Sequence, residues 1–574
     1  MTAMLEIPPA LILLVTALLL PVLPALVRSI ATVAMPLAAL ALLFQMERGT
    51  TVTAPFAGFE LVLLQVNHLN FVFGVIFLLI SSVASIYAWH VRETGQQVAA
   101  MLYAAGALGV TFAGDFLTLL LFWELMAVAS AWLVFARRTP ESTRAGLRYL
   151  LVHLAGGSAL LGGIVLQYAQ TGSLLLAPLA EGSGAAAWLI LLGVALNVAL
   201  PPLHAWLPDA YPQATITGAI FMSALTTKSA VYVLLKLFAG WDILIYGGVF
   251  MALYGVVYAV LANDIRQILA YHIISQVGYM VAGVGIGTEL SLNGTAAHAY
   301  SHILYKGLLF MGAGAVIHAT GKSKLTELGG LGPKMRAVLW LFMIGAFSIS
   351  GFPLFNGFIS KSMIVSAAGE AHHSAVMLLL LLASVGTFLH TGLKIPVFTF
   401  WGKDQHLEVR PVPGNMYVAM GLLAFGCTLY GVAPRLLYRM LPFDVEYHPY
   451  TAYHLVEAVQ LLVFTFIGFW VLREKLAGEP FIALDTDWFY RRAARPATRW
   501  ILVPVNALFA AGAAARDALV RTTVRWFANP RAWFNPRRTC TEPFDPDQDR
   551  ASLSASIGFI LLLLIVLSLV MWRS

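Results

Sequence analysis

Seven ionisable side chains stand where apolar helices would be expected to carry none. Glu124 lies in Leu119-Leu-Leu-Phe-Trp-Glu-Leu-Met-Ala, Lys228 in Ser223-Ala-Leu-Thr-Thr-Lys-Ser-Ala-Val-Tyr and Lys361 in Asn356-Gly-Phe-Ile-Ser-Lys. His298, His302 and Lys306 recur at i, i+4 and i+8, a spacing that stacks them on one face of a single helix. Lys394, in His390-Thr-Gly-Leu-Lys-Ile-Pro, is the seventh. A charge at the centre of a bilayer costs about 3 kcal/mol on insertion scales, so each of these groups must pair, change protonation state or face water. Burial disfavours the charged form of acid and base alike, and histidine exchanges its proton near neutrality, so such groups in series can hand protons along.

Blander readings exist for each. Glu124 can be a carboxylate bonded to neighbouring helices, and the His298/His302/Lys306 face can be a satisfied structural seam. Pro396 and the nearby Trp401-Gly402-Lys403 also suit Lys394 to anchoring a helix end, and Lys236 is expected to snorkel to its span's edge. His272 is a single polar group, of a kind more often bonded structurally than conducting. A histidine pair at i, i+4 can bind metal, but no acidic residue lies within that turn and Lys306 opposes a cation, so no metal site is expected. Four separate spans carrying buried ionisable groups make a polar axis the economical expectation, because each alone would bear its burial penalty unrelieved.

The elements that must hold these groups follow from composition. Of 574 residues, 59% are hydrophobic and 11% charged, and the mean hydropathy is +0.80, more apolar surface than a soluble core can absorb. Apolar stretches of roughly 20 residues, the length that spans a bilayer, recur along the chain. Their backbone groups can be satisfied there only as helices. About 14 spans are expected up to Val471 and one more from Leu553 to Trp572. The first stretch, Pro8 to Val27, lacks a basic leader region and reads as a retained span. The fold class expected is therefore all-α, a polytopic membrane bundle, placed in the cell inner membrane.

Arg137, Arg138, Arg144 and Arg148 crowd one loop, whereas the next, Thr171 to Gly184, has no Lys or Arg, which puts the first on the cytoplasmic side. Alternation then places His318 to Arg336, with Lys322, Lys324 and Lys334, on that side too. The net charge of +7 is explained by these loops rather than by nucleic acid. Breakers at Pro201-Pro202 and Gly351-Phe352-Pro353 fall inside spans, the pattern of broken helices that line ion paths in inverted repeats.

Beyond Val471 the character changes to Arg473-Glu474-Lys475 and Asp485-Thr-Asp-Trp-Phe-Tyr-Arg-Arg. A mixed stretch from Trp500 to Phe527, with Arg516, Arg521 and Arg525, is expected to lie along the membrane surface. Pro530 and Pro536 should end it, before an acidic linker of Glu542, Asp545, Asp547 and Asp549. Only Cys427 and Cys540 occur, too few for an iron–sulfur cluster, and the glycines at Gly330 to Gly332 lack the Lys-Ser/Thr of a phosphate loop. No cofactor is expected, and direct ATP use is not.

Phe122-Trp-Glu-Leu-Met, His204-Ala-Trp-Leu-Pro-Asp-Ala, Thr227-Lys-Ser-Ala-Val-Tyr, Asn263-Asp-Ile-Arg-Gln-Ile-Leu-Ala-Tyr, the His298/His302/Lys306 helix and Gly357-Phe-Ile-Ser-Lys occur in one order between Met101 and Lys403. As a set they resemble the antiporter-like subunits shared by respiratory complex I, membrane-bound hydrogenases and Mrp-type sodium/proton antiporters, with the D-type member of the last group the nearest likeness. The resemblance implies a proton-translocating subunit moving protons and, through coupling, Na+. Homologous and small membrane subunits of a hetero-oligomer would be its partners. It divides the chain into N-terminal spans (1–97), an ion-translocating core of two inverted repeats (98–403), C-terminal spans (404–472), a cytoplasmic segment (473–552) and a last span (553–574). In that family the glutamate pairs with a lysine seven residues before the His-x-Trp-x-Pro-Asp histidine. Here that position is Asn197, which leaves Lys228 as the expected nearest counter-charge to Glu124. The family's Asp-Ile-Lys-Arg stands as Asp264-Ile-Arg-Gln, at a loop where a topological anchor is expected. Rival expectations are a subunit of an energy-converting dehydrogenase or of an inorganic-carbon uptake complex, and a non-conducting scaffold, which Asn197 would favour.

Overall fold

The computed structural model describes residues 6–477, 484–488, 491–492, 496, 498–528 and 550–571. Apolar sequence of bilayer length gives helices throughout, as the need to satisfy backbone groups requires. The chain opens with α1 (Pro9–Leu19) and α2 (Ala25–Gln45), then a hairpin of β1 (Thr51–Phe56) and β2 (Phe59–Gln65) turning at Ala57-Gly58, both at positive φ. Next come α3 (His68–Tyr87), α4 (Thr94–Phe112), α5 (Phe116–Phe135) and the 32-residue α6 (Pro140–Thr171). A first interrupted span follows, α7 (Ala185–Asn197) and α8 (Trp206–Ala210), then α9 (Gly218–Ala224) and α10 (Thr226–Leu237).

The second half runs through α11 (Asp242–Leu261), α12 (Ile265–Ile286) and the 32-residue α13 (Glu289–Thr320). Another interrupted pair, α14 (Arg336–Ser350) and α15 (Asn356–Glu370), precedes α16 (Ser374–Thr387), which continues as a π-helix over Phe388–Lys394. Then come α17 (Gly414–Val432), the short α18 (Arg435–Tyr438) and α19 (Ala452–Leu472). Among the described residues, twelve helices are long and apolar enough to cross a membrane, and Pro9–Val22, Ala185–Asn197, Arg336–Ser350 and Leu553–Leu569 are shorter apolar ones. This is the all-α, multi-span membrane architecture that the hydropathy pattern implies.

The two halves share local signatures. Asp115 caps α5, accepting the Thr118 N–H, and Asp264 caps α12, accepting the Arg266 and Gln267 N–H groups, and each makes an isolated β-bridge, to Leu175 and Lys324 respectively. Each bridge ties a helix start to the loop after a 32-residue helix that ends on a left-handed glycine, Gly172 or Gly321. Small residues let backbones meet where no hydrophobic force separates lipid from protein. A Cβ on Gly248 of α11 would lie 2.2 Å from Ala282 N, and one on Gly278 of α12 would lie 2.5 Å from Ala252 N.

Residues Met1–Thr486 form one compact unit and Asp487–Ser574 a second. Within the second are the helices Val503–Ala528 and Leu553–Met571. Arg516 pairs with its neighbour Asp517 at 2.8 Å. By length and composition alone the stretch Arg499–Phe527 would also qualify as a span. Pro530, Pro536, Cys540, Glu542, Asp545, Asp547 and Asp549 lie outside the described residues.

Candidate functional site

Helix interruptions build the site, and the one at Leu225 has no proline or glycine to announce it. The Met222 carbonyl, which a continuous helix would offer to the Thr226 N–H, accepts instead from the Tyr211 hydroxyl at 2.7 Å. The Thr226 N–H donates to the Tyr103 hydroxyl at 3.0 Å. Two tyrosines thus enter the ladder and split α9 from α10. The freed Ser223 carbonyl accepts from the Lys228 ammonium.

The second interruption works alike. Gly351 takes a φ of 75° to close α14, and the Ile349 carbonyl accepts from Lys361 Nζ at 2.9 Å, with Ser384 Oγ at 3.3 Å. Lys361 also sits over the Tyr279 ring at 5.3 Å. Lys228 and Lys306 are 0% exposed and Lys361 is 5%, so none of the three points outward to lipid.

Between these lysines runs a row of buried polar groups. His298 Nδ1 meets Ser360 Oγ at 3.0 Å, and its ring lies 6.4 Å from that of His302. Both ring nitrogens of His302, Lys306 Nζ and both ring nitrogens of His272 have no hydrogen-bond partner among the described residues, while His390 lies against the Gly386 backbone one turn before it. His272 and His390 face each other at 5.6 Å. Lys228, Lys306 and Lys361 all lie within electrostatic reach of His302. An orphaned buried donor or acceptor costs about 1–3 kcal/mol, and more when charged, so a dry, packed row of this kind would be destabilising. Lys361 and Ser384 also line a narrow cleft with His454, Glu457 and Thr465.

Lys394 is placed differently. Its ammonium donates to the Val260 carbonyl at 2.6 Å and the Ala262 carbonyl at 3.3 Å, the free end of α11. That geometry matches the helix-end anchor considered for it. Lys236 likewise donates to the Ala113 carbonyl at 2.9 Å. Asp264 behaves as an anchor too, accepting from Arg266 and Gln267 N–H and from Ser323.

In the first half Glu124 is half-buried and makes no hydrogen bond or ion pair among the described residues, Lys228 included. Its carboxylate lies over Gly157 of α6, where a Cβ would come within 1.7 Å of Oε1. Asn197 Oδ1 meets His153 Nδ1 at 2.8 Å, and both residues are buried. Asn197 Nδ2 and His153 Nε2 remain unpartnered among the described residues. Below them Arg148 grips Asp209 through two hydrogen bonds of 2.7 and 2.8 Å. Sequence reasoning missed His153. Its signal was its place one turn before Gly157 on the face that meets α7.

A further carboxylate comes from after α19. Asp485 reaches His204, Tyr254 and Tyr271 and is 8% exposed. Burial acts to raise its pKa, but the hydrogen bonds of His204 and the two tyrosine hydroxyls, with the charge of His204 when that ring is protonated, outweigh it, holding the carboxyl down to about 2. A depressed carboxylate contributes its stabilisation above its unfolded value of about 3.9 and loses it as pH falls through the folded value, so Asp485 is ionised at any physiological pH.

A multi-span bundle with three interrupted spans and a buried lysine–histidine row defines an antiporter-like membrane protein. The chain belongs to the NADH:quinone oxidoreductase/Mrp antiporter transmembrane family, whose model matches residues 113–389. It is 34% identical over 325 residues to the D subunit of the Na+/H+ antiporter of Alkalihalophilus pseudofirmus, covering 53% of this chain and 65% of that one, a little under two thirds of the relative. The N subunit of the NADH-quinone oxidoreductase of Desulforudis audaxviator is 32% identical over 350 residues, with 56% and 67% covered. In fold it resembles a chain of the Mrp complex of Dietzia sp. (TM-score 0.69, 23% identity, 81% of this chain and 98% of that). It also resembles one of the archaeal membrane-bound sulfane sulfur reductase (TM-score 0.70, 22% identity, 98% and 99%).

Proposed function

We propose that this chain is the proton-translocating subunit of a multisubunit cation/proton antiporter, equivalent to the D-type member of such complexes. Protons move along Lys228, the His298/His302/Lys306 face and Lys361, with Glu124 modulating entry in the first half. Residues 98–403 form the translocating core, and the stretch Trp500 to Phe527 lies on the membrane surface. The supporting observation is the run of buried nitrogens on His302, Lys306 and His272 that have no partner among the described residues, lying between two lysines that each rest on a carbonyl freed by a helix interruption. Dry protein would not tolerate that run, whereas water threaded between the groups satisfies them and supplies the hops.

The reading is tested with the purified complex in vesicles carrying a pH-sensitive dye. Lys361→Ala should lower flux more than tenfold at unchanged assembly, because it removes the group between the histidine row and the cleft toward Glu457. Wild-type flux in that variant would sink the assignment.

A second reading, membership of a redox-driven complex, draws support from the fold likeness to the sulfane sulfur reductase chain, which extends over 98% of this chain. Redox subunits co-purifying from native membrane would favour it. Their absence, with cation-coupled flux, favours the antiporter.

A further inference from the structure

The chain beyond α19 returns to the bundle at Leu484-Asp485-Thr486. Tyr258 donates to the Leu484 carbonyl at 2.9 Å and Thr486 Oγ1 to the Pro202 carbonyl at 3.2 Å, which lays this segment against the unwound stretch between α7 and α8. Leu484 is 68% exposed, yet the Asp485 side chain beside it turns inward and is 6% exposed. The Tyr254 and Tyr271 hydroxyls donate to Oδ1 and Oδ2 at 2.6 Å each, and the Thr486 N–H donates to Oδ1 at 2.5 Å. His204 Nε2 completes the set, 3.1 Å from Oδ1 and 3.3 Å from Oδ2.

His204 is 0% exposed, and its other nitrogen, Nδ1, has no partner among the described residues. A carboxylate facing Nε2 holds the proton on that nitrogen and leaves the lone pair on Nδ1. The imidazole is thereby set in one tautomer, with its basic nitrogen turned away from Asp485. This occurs on the same interrupted span where Asn197 replaces the expected lysine, and Asn197 in turn meets His153 of α6, whose Nε2 is a second imidazole nitrogen without a partner among the described residues.

We propose that Asp485 is a positioning residue that fixes His204 as the proton-accepting base of the first half-channel. The proposal rests on the proton-translocating reading above. Nδ1 takes a proton from water to give an imidazolium whose charge the Asp485 carboxylate balances, and it releases that proton inward. Asp485 itself stays ionised throughout. The titratable groups that face the pair are Tyr254 and Tyr258 from α11 and Tyr271 from α12, whose hydroxyls donate to the Asp485 carboxylate or, for Tyr258, to the Leu484 carbonyl.

The test uses the whole complex in dye-loaded vesicles, with flux recorded from pH 5 to 9. Asp485→Asn should lower flux about tenfold and move the pH of half-maximal flux by about one unit toward acid, since a neutral amide no longer balances the imidazolium. Asp485→Glu should recover at least half of the flux. Asp485→Asn combined with His204→Gln should be no worse than His204→Gln alone, as expected of residues acting as one unit. An unchanged flux and pH profile in Asp485→Asn, or losses that multiply in the double variant, would overturn the proposal. Where Asp485→Asn fails to assemble, Tyr271→Phe carries the test. It should shift the profile the same way, and an unmoved profile overturns the proposal equally. Flux surviving in Lys361→Ala would break the broader reading, whereas a dead Lys361→Ala beside an unaffected Asp485→Asn would discard only this inference.

Discussion

The long helices α6 and α13 have the same length and the same glycine stop, and counted from their first residues Tyr149, His153 and Gly157 fall at the positions of His298, His302 and Lys306. The second half fills the last position with an ammonium, and the first leaves it empty of side chain. Into that space comes the Glu124 carboxylate from α5. The histidine is kept in both, bonded to Asn197 in one half and unpartnered in the other. One backbone plan therefore offers the same seats twice, and the side chains decide which half carries fixed positive charge. Around these seats the first half gathers imidazole, amide and carboxylate, with its ammonium, Lys228, held apart on the Ser223 carbonyl. The second half sets imidazole and ammonium on one helix face.

The lysines differ by the same logic. Lys228, Lys361 and Lys394 each rest on a main-chain carbonyl released by a helix break or a helix end, where the negative end of the helix dipole favours a cation. Lys306 has no such partner among the described residues, and it acts on Lys228 through space. A buried ammonium without a protein partner costs the fold stability unless water solvates it.

The sharpest way to break the contrast is Lys306→Met, which keeps the length of the side chain and removes its charge. Flux should fall about tenfold, while the thermal midpoint of the purified complex holds or rises, because no bond is lost and a buried charge is removed. A lowered midpoint with intact flux would instead make Lys306 a structural member of its seam.

Gly157→Ala probes the first half at the matching seat. The new Cβ would lie 1.7 Å from Glu124 Oε1, so the carboxylate must swing away at a cost of about 1–3 kcal/mol. Flux should fall several-fold, less than for Lys306→Met, and should fall no further when Glu124→Gln is already present. Additive losses would show that Gly157 matters for helix packing and not for seating the carboxylate.

Much of this was legible before any coordinates. The mid-span position of Lys228 and Lys361, the i, i+4, i+8 face on α13 and the breakers at Pro201 and Gly351 are one-dimensional signals; the structure buries Lys228, Lys361 and the α13 face, and breaks the helices at both sites. What stayed hidden depended on distant partners. The break at Leu225 arises because Tyr103 and Tyr211 take two helical hydrogen-bond groups, which no feature of Ala224-Leu225-Thr226 betrays. The expectation that Lys228 serves Glu124 as counter-charge finds no ion pair between them, because the Ser223 carbonyl holds the ammonium. Asp485 sits in a polar stretch that reads as solvated chain, and its partner His204 lies 281 residues away. Burial of a single carboxylate leaves no periodicity to read.

The smallest effect on flux is expected at Lys394, and it bears on whether position in the row is enough to make a lysine part of a relay. Lys394 lies on the π-helical turn that also carries His390, near the unpartnered histidines, so proximity alone would enrol it. Its ammonium is committed to two carbonyls at the end of α11, and a proton carrier must let go of its partners at each turnover. Lys394→Met would leave the Val260 and Ala262 carbonyls unmet at a cost of about 1–3 kcal/mol, seen as a lower thermal midpoint. Flux per assembled complex should stay within about twofold of wild type, since the relay keeps every group it uses. A tenfold loss at an unchanged midpoint would place Lys394 among the carriers, and would mean that a lysine resting on freed carbonyls is a waiting state of the relay rather than an anchor.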